Sequence, residues 1–143
     1  MSTPSLDSAI EASHKALFKI INGDPVGYQT LYAEDETPTL GNPFGPFAHG
    51  LQDVVKRLSG AASNYEDGEV TGVELIAKYV SDDLACVVEV ENYRAKIGGS
   101  EEMASASLRV TSVFRLEQGN WKLVHRHADP ITSSRPAASV ISK

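Results

Sequence analysis

The sequence has little of what marks secreted, membrane-spanning or nucleic-acid-binding proteins. Its 143 residues include one cysteine, Cys86, which excludes an internal disulfide and fits a reducing cytoplasm. No run approaches the roughly 18 apolar residues that a membrane-spanning helix needs, and the first residues do not resemble a signal peptide. Lys and Arg number 13 against 19 Asp and Glu, so the net charge is −6. This balance disfavours nucleic acid or an anionic membrane as a partner.

Several chemical motifs are also missing. The chain contains no Gly-x-Ser-x-Gly, no phosphate-binding loop and no Gly-x-Gly-x-x-Gly. Their absence argues against serine hydrolases of that type, nucleotide hydrolases and dinucleotide-dependent enzymes, because each chemistry depends on its motif. We therefore expect no cofactor.

Three amphipathic segments occupy the first half of the chain. Apolar residues recur there at three- and four-residue spacing, which is typical of helices with one buried face. Ser5 can cap the first segment, Pro25 suits the first turn of the second, and Gly50 precedes the third. The pattern predicts helices over residues 6–21, 25–34 and 51–62.

A loop with aromatic residues separates the second and third helices. Thr37–Leu40 has the composition of a short strand, whereas two prolines and two glycines rule out regular structure over 41–47. Phe44 and Phe47 stand in this loop and need burial. We therefore expect the loop to lie across the mouth of a core.

The second half of the chain predicts antiparallel strands. It is rich in Val, Thr, Tyr and Phe, and short turns interrupt it. Helices followed by such a meander give an α+β fold, and the great length of two strands implies strong curvature or a bulge. The predicted strands cover residues 69–80, 84–96, 104–118 and 121–128.

The last two strands carry a family resemblance. The segments 108–115 and 119–129 resemble the C-terminal hairpin of SnoaL-like proteins of the nuclear transport factor 2-like superfamily. The pattern Trp-x-x-Val-His-x-His from Trp121 is also similar to the association domain of calcium/calmodulin-dependent protein kinase II. The resemblance implies a cone-shaped, cystatin-like α+β barrel, in which a curved antiparallel sheet wraps around three N-terminal helices. The resemblance covers residues 6–130. Ser, Pro and Ala dominate from Ile131 onward, so we expect one domain over 1–130 with a loosely held tail over 131–143.

The same resemblance implies a homodimer formed through the convex face of the sheet. It does not fix an activity, because this superfamily includes isomerases, cyclases, dehydratases, binding domains and oligomerisation domains.

Strand 84–96 has two distinct faces. One carries Glu89 and Glu91 with Tyr93, and the other carries Cys86 and Val88. Alternation does not tell which face is inside, so the glutamates point either to solvent or into the cone. If they point inward, burial raises a carboxyl pKa, and Glu89 or Glu91 becomes a candidate general base.

The last strand offers further candidates. Alternation puts Leu123, His125 and His127 on one face and Arg126 on the other, unless a bulge intervenes. Arg126 or Arg109 is a candidate charge stabiliser, and His127 is a candidate acid or base near the mouth of the cone. The histidines are alternatively packing residues of a dimer interface.

Aromatic residues provide the wall of a pocket if the cone is open, and ordinary core if it is not. The residues concerned are Tyr28, Tyr32, Phe44 and Phe47. His14 lies at the edge of the first helix's apolar stripe and is interpreted as a boundary residue. His125 and His127 lack a third ligand in sequence, so no metal site is predicted.

Two functional hypotheses remain open. In the first, the protein binds a hydrophobic or weakly polar small molecule and catalyses a cofactor-free isomerisation or ring closure. In the second, it is an association or ligand-binding module without chemistry. A structure decides which side chains line the interior.

Overall fold

A computed structural model describes residues 5–142. It contains one six-stranded sheet with strand order β2-β1-β6-β5-β4-β3, and helices packed on one of its faces. The sheet is curved and not closed, so the architecture is the expected α+β cone. The helices are α1 (Leu6–Ile20), α2 (Val26–Leu31) and α3 (Leu51–Ala62). The strands are β1 (Thr39–Gly41), β2 (Ala48–His49), β3 (Tyr65–Val80), β4 (Leu84–Ile97), β5 (Met103–Glu117) and β6 (Asn120–Asp129).

The helices follow the predicted pattern with one difference. The Ser5 hydroxyl accepts a hydrogen bond from the Ser8 N–H at 3.1 Å and caps α1. Helix α2 ends at Leu31, earlier than predicted, because Tyr32 adopts an extended backbone. The Ala33 N–H then donates to the Leu123 carbonyl of β6, which fixes the chain to the sheet.

The four long strands form the predicted meander, and β3 begins at Tyr65 rather than at residue 69. The short strand β1 adds to it in parallel with β6. This pairing was not predicted, because a three-residue strand carries no sign of its distant partner.

The glutamate face of β4 is the inner face of the cone. Glu89 and Glu91 are only 4% and 2% exposed, and Val87 and Tyr93 are buried beside them. The alternating residues Cys86 and Val88 are half-buried on the outer face. The orientation that the sequence left open is therefore settled in favour of the interior.

A bulge in β6 changes the predicted faces of that strand. Val113 pairs with His125, but Phe114 pairs with Leu123, so Val124 is an extra residue. Leu123 consequently shares the buried inner face with Arg126, whereas it was expected on the face of the histidines.

The expected burial of the loop aromatics was wrong. Phe44 is 48% exposed and Phe47 is 64% exposed. Phe47 lies on the outer side of the sheet with its ring centroid 6.2 Å from that of His125 and 6.0 Å from that of His127. It fits there because Gly41 beneath it has no side chain, and a Cβ would come within 2.6 Å of the ring.

The residues that follow β6 lie at the surface. Residues 130–142 are exposed, including a 3₁₀ turn at Ala137–Val140. The domain boundary at residue 130 remains a prediction. Within residues 5–142, no helix is both long and apolar enough to cross a membrane.

Candidate functional site

A buried ion pair crosses the inner face of the sheet. Arg126 Nη1 and Nη2 donate to Glu91 Oε2 and Oε1 at 2.8 and 2.7 Å. Burial opposes the charge of Arg126, but the attraction of Glu91 holds the pKa of Arg126 well above its ordinary value. The two-pronged geometry satisfies both carboxylate oxygens, which a buried charge requires.

The second inner glutamate is paired with a histidine from α1. His14 Nε2 lies 2.7 Å from Glu89 Oε2, and the His14 side chain is 34% exposed. This hydrogen bond raises the pKa of His14 above its ordinary value, while burial acts in the opposite direction. The inner face thus holds two carboxylates, each with its own basic partner.

A small cavity lies between these charges and the mouth of the cone. Its volume is about 40 Å³. One water molecule needs roughly 10–15 Å³ on this measure, so the cavity holds only a few waters. It is lined by α1, α2, α3, the loop after β1 and the inner strands. The lining side chains that matter below are those of Tyr28, Asn42, Phe44, Tyr65, Tyr93 and Arg126.

Two polar atoms of residues that line this cavity are unsatisfied. Among residues 5–142, Tyr28 Oη and Asn42 Nδ2 are the buried side-chain atoms that lack a hydrogen-bond partner. The Asn42 Oδ1 atom accepts from the Phe44 N–H at 3.0 Å, so this side chain is already oriented. A buried polar group without a partner costs about 1–3 kcal/mol. Two such atoms at one cavity indicate a place where a ligand can supply the partner.

A pair of tyrosine hydroxyls adds to the polar lining. Tyr65 Oη and Tyr93 Oη are 2.7 Å apart and buried. Burial raises the pKa of Tyr28, Tyr65 and Tyr93 above the usual tyrosine value. All three hydroxyls therefore stay protonated and able to donate at neutral pH.

Some of the predicted site residues meet in the cone. Glu89, Glu91 and Arg126 form the charged layer, and Tyr28 places its ring 4.9 Å from the Arg126 guanidinium carbon. Tyr32 is fully buried, with its hydroxyl 3.4 Å from the Thr39 carbonyl oxygen, and does not line the cavity.

Other predicted site residues lie elsewhere. Arg109 is on the outer face, where its Nε donates to Asp129 Oδ1 at 2.7 Å. His127 is also outside, with Nε2 3.4 Å from Asp129 Oδ2. Phe47 packs on the same outer surface. These three residues therefore do not line the interior cavity: strand alternation turns Arg109 and His127 to the outer face, and Phe47 belongs to the loop between β1 and β2.

Four polar residues of the site were missed, and one of them is Asn42, which stands in a loop where no periodicity indicates the direction of its side chain. Tyr93 shares the face of the glutamates, so alternation could have found it. Tyr65 was overlooked because β3 was predicted to begin at residue 69. The pairing of His14 with Glu89 joins residues 75 positions apart, and no local pattern reports such a contact.

The described residues also bear on metal binding. Within residues 5–142, no three His, Cys, Asp or Glu side chains come together as metal ligands would.

The comparison with known proteins fits this geometry. A family model described as the SnoaL-like domain matches residues 7–132, which is most of the chain. The chain belongs to the SnoaL-like domain family. Among proteins of curated function, none matches the sequence of this SnoaL-like domain closely enough to count as a relative.

Solved structures share the fold of this SnoaL-like domain. An association-domain-like protein of calcium/calmodulin-dependent protein kinase type II from Thiobacillus denitrificans is 17% identical, with a TM-score of 0.73; 92% of this chain and 99% of that chain are covered. A ketosteroid isomerase-like protein from Erwinia carotovora atroseptica is 17% identical, with a TM-score of 0.74 and coverage of 90% and 95%. A nuclear transport factor 2-like superfamily protein from Salmonella enterica serovar Typhimurium is 15% identical, with a TM-score of 0.73 and coverage of 89% and 91%. At these identities the likeness establishes the fold.

Proposed function

We propose that this SnoaL-like domain binds a small, uncharged molecule with a hydrogen-bond acceptor, such as a ketone, inside the cone. The observation that carries the proposal is the pair of unsatisfied polar atoms, Tyr28 Oη and Asn42 Nδ2, at one cavity. Binding replaces two costly unpaired groups with hydrogen bonds, which favours a ligand that offers acceptors.

The chemistry of the lining supports an acceptor without charge. An amide nitrogen such as Asn42 Nδ2 only donates, and the protonated Tyr28 hydroxyl can donate as well. The one cation at the cavity, Arg126, is neutralised by Glu91. An anionic or cationic ligand would therefore lose its hydration without gaining a free counter-charge.

The rest of the lining supports a ligand with an apolar body. Leu17, Ile20 and Leu58 provide a helical wall, and Leu40 and Leu108 face them from the sheet. The present volume is smaller than a typical ligand pocket of roughly 300–1,000 Å³. Phe44 forms the lip of the cavity and is half-exposed, with its ring 5.9 Å from that of Tyr65, so its outward movement would enlarge the site.

The geometry favours binding over proton abstraction by Glu91. Arg126 occupies both oxygens of that carboxylate. Each oxygen keeps a second lone pair, but proton abstraction by Glu91 would have to occur while Arg126 holds both oxygens, whereas binding at Tyr28 and Asn42 needs no base. The proposed role is therefore ketone binding, and this role requires no catalytic step.

The test is a titration of ¹⁵N-labelled protein with acetophenone, and with ethylbenzene as the analogue that lacks the acceptor. We expect acetophenone to shift the amide signals of Asn42, Phe44 and Tyr65. The Tyr28→Phe variant should weaken acetophenone binding about threefold to tenfold, since one hydrogen bond contributes roughly 0.5–1.5 kcal/mol.

Tyr79→Phe is the matched control, because this tyrosine is exposed on β3. It should bind acetophenone as the unmodified protein does. Equal affinity for acetophenone and ethylbenzene, or equal affinity of both variants, would contradict the proposal.

We also propose that the protein self-associates through the outer face of the sheet. Val88 on β4 pairs there with Ala77 on β3 and with Thr111 on β5, and Tyr79 and Cys86 form the neighbouring pair. The patch formed by these residues is apolar apart from Thr111, and its members are half-buried or exposed. Self-association is compatible with a binding site inside the cone, because the two lie on opposite faces of the sheet.

A further inference from the structure

We propose that the groove between α1 and β3 is a second binding site, separate from the cone, for a monocarboxylate with a short apolar chain. His14 would hold the carboxylate at the floor of the groove, and Phe18 and Val70 would hold the chain. Lys15 and Lys19 stand at the rim.

The groove exists because α1 and β3 are joined at two separated points. At one end, Asn22 Nδ2 donates to the Gly68 carbonyl and the Gly68 N–H donates to Asn22 Oδ1, both at 3.0 Å. Towards the other end, Lys78 Nζ lies 3.0 Å from Asp7 Oδ1. Between these ties, β3 has register shifts and the surface opens into a groove of about 760 Å³. That volume is in the range of small-molecule sites.

The groove reaches a charged pair that the cone cavity does not. His14 lines the groove, whereas neither His14 nor Glu89 lines the cavity at Tyr28. Because Nε2 is engaged by the buried Glu89, Nδ1 is the ring nitrogen left to meet a ligand. A carboxylate holding one side of an imidazole orients the other side for a partner.

The charges around the groove are compatible with an anion. Glu11 is 3.8 Å from Lys15, and Glu69 stands opposite Arg94 in the strand pairing. Lys19 has no ion-pair partner within the described part of the chain. Glu69 likewise has no ion-pair partner among residues 5–142, so the two lysines of the groove balance its two glutamates, and protonated His14 is the group that favours an anion.

The interior charges that face His14 are balanced in the same way. On β4, Glu89 pairs with His14 itself, and Glu91 pairs with Arg126 of β6. Arg126 directs both terminal nitrogens at Glu91, whereas a protonated His14 keeps a second N–H, on Nδ1, that can donate to a carboxylate in the groove.

The apolar part of the groove selects the chain of the ligand. Phe18 is a large side chain that is 47% exposed on α1, one turn after His14. Val70 lies opposite on β3 and is partly buried against the core. Residues four apart lie on one face of a helix, so a chain resting on Phe18 continues from a head group at His14.

The test uses hexanoate as the probe, with 1-hexanol and hexylammonium as analogues of the same chain length. Titration of ¹⁵N-labelled protein at pH 6 should give saturable shifts at Lys15, Phe18 and Val70 with hexanoate, and at least tenfold weaker binding of the other two compounds. Hexanoate binding should weaken as the pH rises through the elevated pKa of His14, because the imidazolium loses the proton that it donates.

Variants separate the head-group contact from the chain contact. His14→Gln should weaken hexanoate binding about tenfold, since a charge-assisted hydrogen bond is lost. Phe18→Ala should weaken the binding of hexanoate and of both analogues, because all three compounds carry the same chain. Lys19→Gln should weaken hexanoate binding about twofold to fivefold. Lys122→Gln removes the same charge from β6 and should leave the affinity unchanged. Lys19→Gln and Phe18→Ala act at exposed positions, so they test the site even where His14→Gln fails to fold.

Three results would overturn the proposal. One is hexanoate and 1-hexanol binding equally, and another is hexylammonium binding more tightly than hexanoate. The third is the absence of saturable shifts at the groove, including the case in which hexanoate shifts only the signals of Asn42 and Phe44 in the cone. Acetophenone and hexanoate probe different residues, so the failure of one site leaves the other test intact.

Discussion

The pair formed by Glu91 and Arg126 shows what single residues contribute to this interior. Each charge is buried, and each is satisfied almost entirely by the other. The Coulombic gain of such a pair is largely offset by the loss of hydration, but removal of one member leaves the other uncompensated. The pair therefore makes the inner face sensitive to any change that affects one partner alone.

The Glu91→Gln variant should lower the free energy of unfolding by about 3–5 kcal/mol, because it leaves Arg126 as an unpaired buried charge. Urea denaturation followed by circular dichroism measures this loss. The double variant Glu91→Leu with Arg126→Met replaces the pair with apolar groups of similar volume. It should recover most of the lost stability, and a double variant as unstable as Glu91→Gln would contradict this account.

For single residues, the sequence predicts which side chains share a face better than it predicts which side chains are in contact. Alternation along β4 places Glu89, Glu91 and Tyr93 on one face, and it cannot tell inside from outside. The partners of the two glutamates come from α1 and β6, 75 and 35 residues away. Contacts over such separations depend on the whole sheet, which explains why His14 was interpreted as a boundary residue.

Among the elements, β3 is the one whose irregularity shapes the surface. Gly68 and Gly72 both lie in this strand, four residues apart, and their surroundings differ. A Cβ on Gly68 would come within 2.3 Å of Ile21 Cγ1 and 2.5 Å of the Ile21 carbonyl oxygen. A Cβ on Gly72 would meet no atom within 4 Å. The close approach at Gly68 is what lets α1 end against the strand.

Gly68→Ala should therefore destabilise the protein by about 1–3 kcal/mol, as overpacking of a tight site does. Gly72→Ala should be neutral or stabilising by up to about 1 kcal/mol, because glycine within a strand loses more backbone freedom on folding than alanine. Thermal unfolding of the two variants measures the difference. Equal melting temperatures of the two variants would show that Ile21 moves away from the added methyl group without a loss of stability.

The elements also show where prediction from sequence ends. Hydrophobic spacing and turn residues were enough for three helices and four long strands. The extra residue at Val124 has no signature, since Val suits any strand position, and it moves Leu123 to the opposite face from the one predicted. The pairing of β1 with β6 likewise depends on the tertiary fold rather than on the three residues of β1.

Considered as a whole molecule, the sheet separates two environments. The inner face holds the buried ion pairs and the cavity, and the outer face carries an apolar patch around Val88 as well as the Arg109–Asp129 ion pair. A stable interface between proteins buries roughly 1,200–2,000 Å² in total, so the proposed contact has to extend well beyond Val88. Arg115 is less suited to testing this interface, because it already contacts Asp35 and Glu117 within its own chain.

The proposed dimer should dissociate to monomers in the Val88→Asp variant, because this substitution places a charge in the middle of an apolar contact. Size-exclusion chromatography with light scattering measures the mass, which is 15.4 kDa for one chain. Gln52→Asp adds the same charge on α3, away from the outer face, and should leave the dimer intact. A dimer that survives Val88→Asp would place the interface elsewhere.

The narrow cavity behind Phe44 has a consequence for kinetics. A ligand larger than a few waters can enter only after Phe44 has moved aside. Its rate of binding should therefore level off at high ligand concentration instead of rising in proportion. The same lip would slow departure. A bound ligand would then dissociate more slowly than the few hydrogen bonds at Tyr28 and Asn42 alone would cause. Even a ligand of low affinity would stay bound for longer.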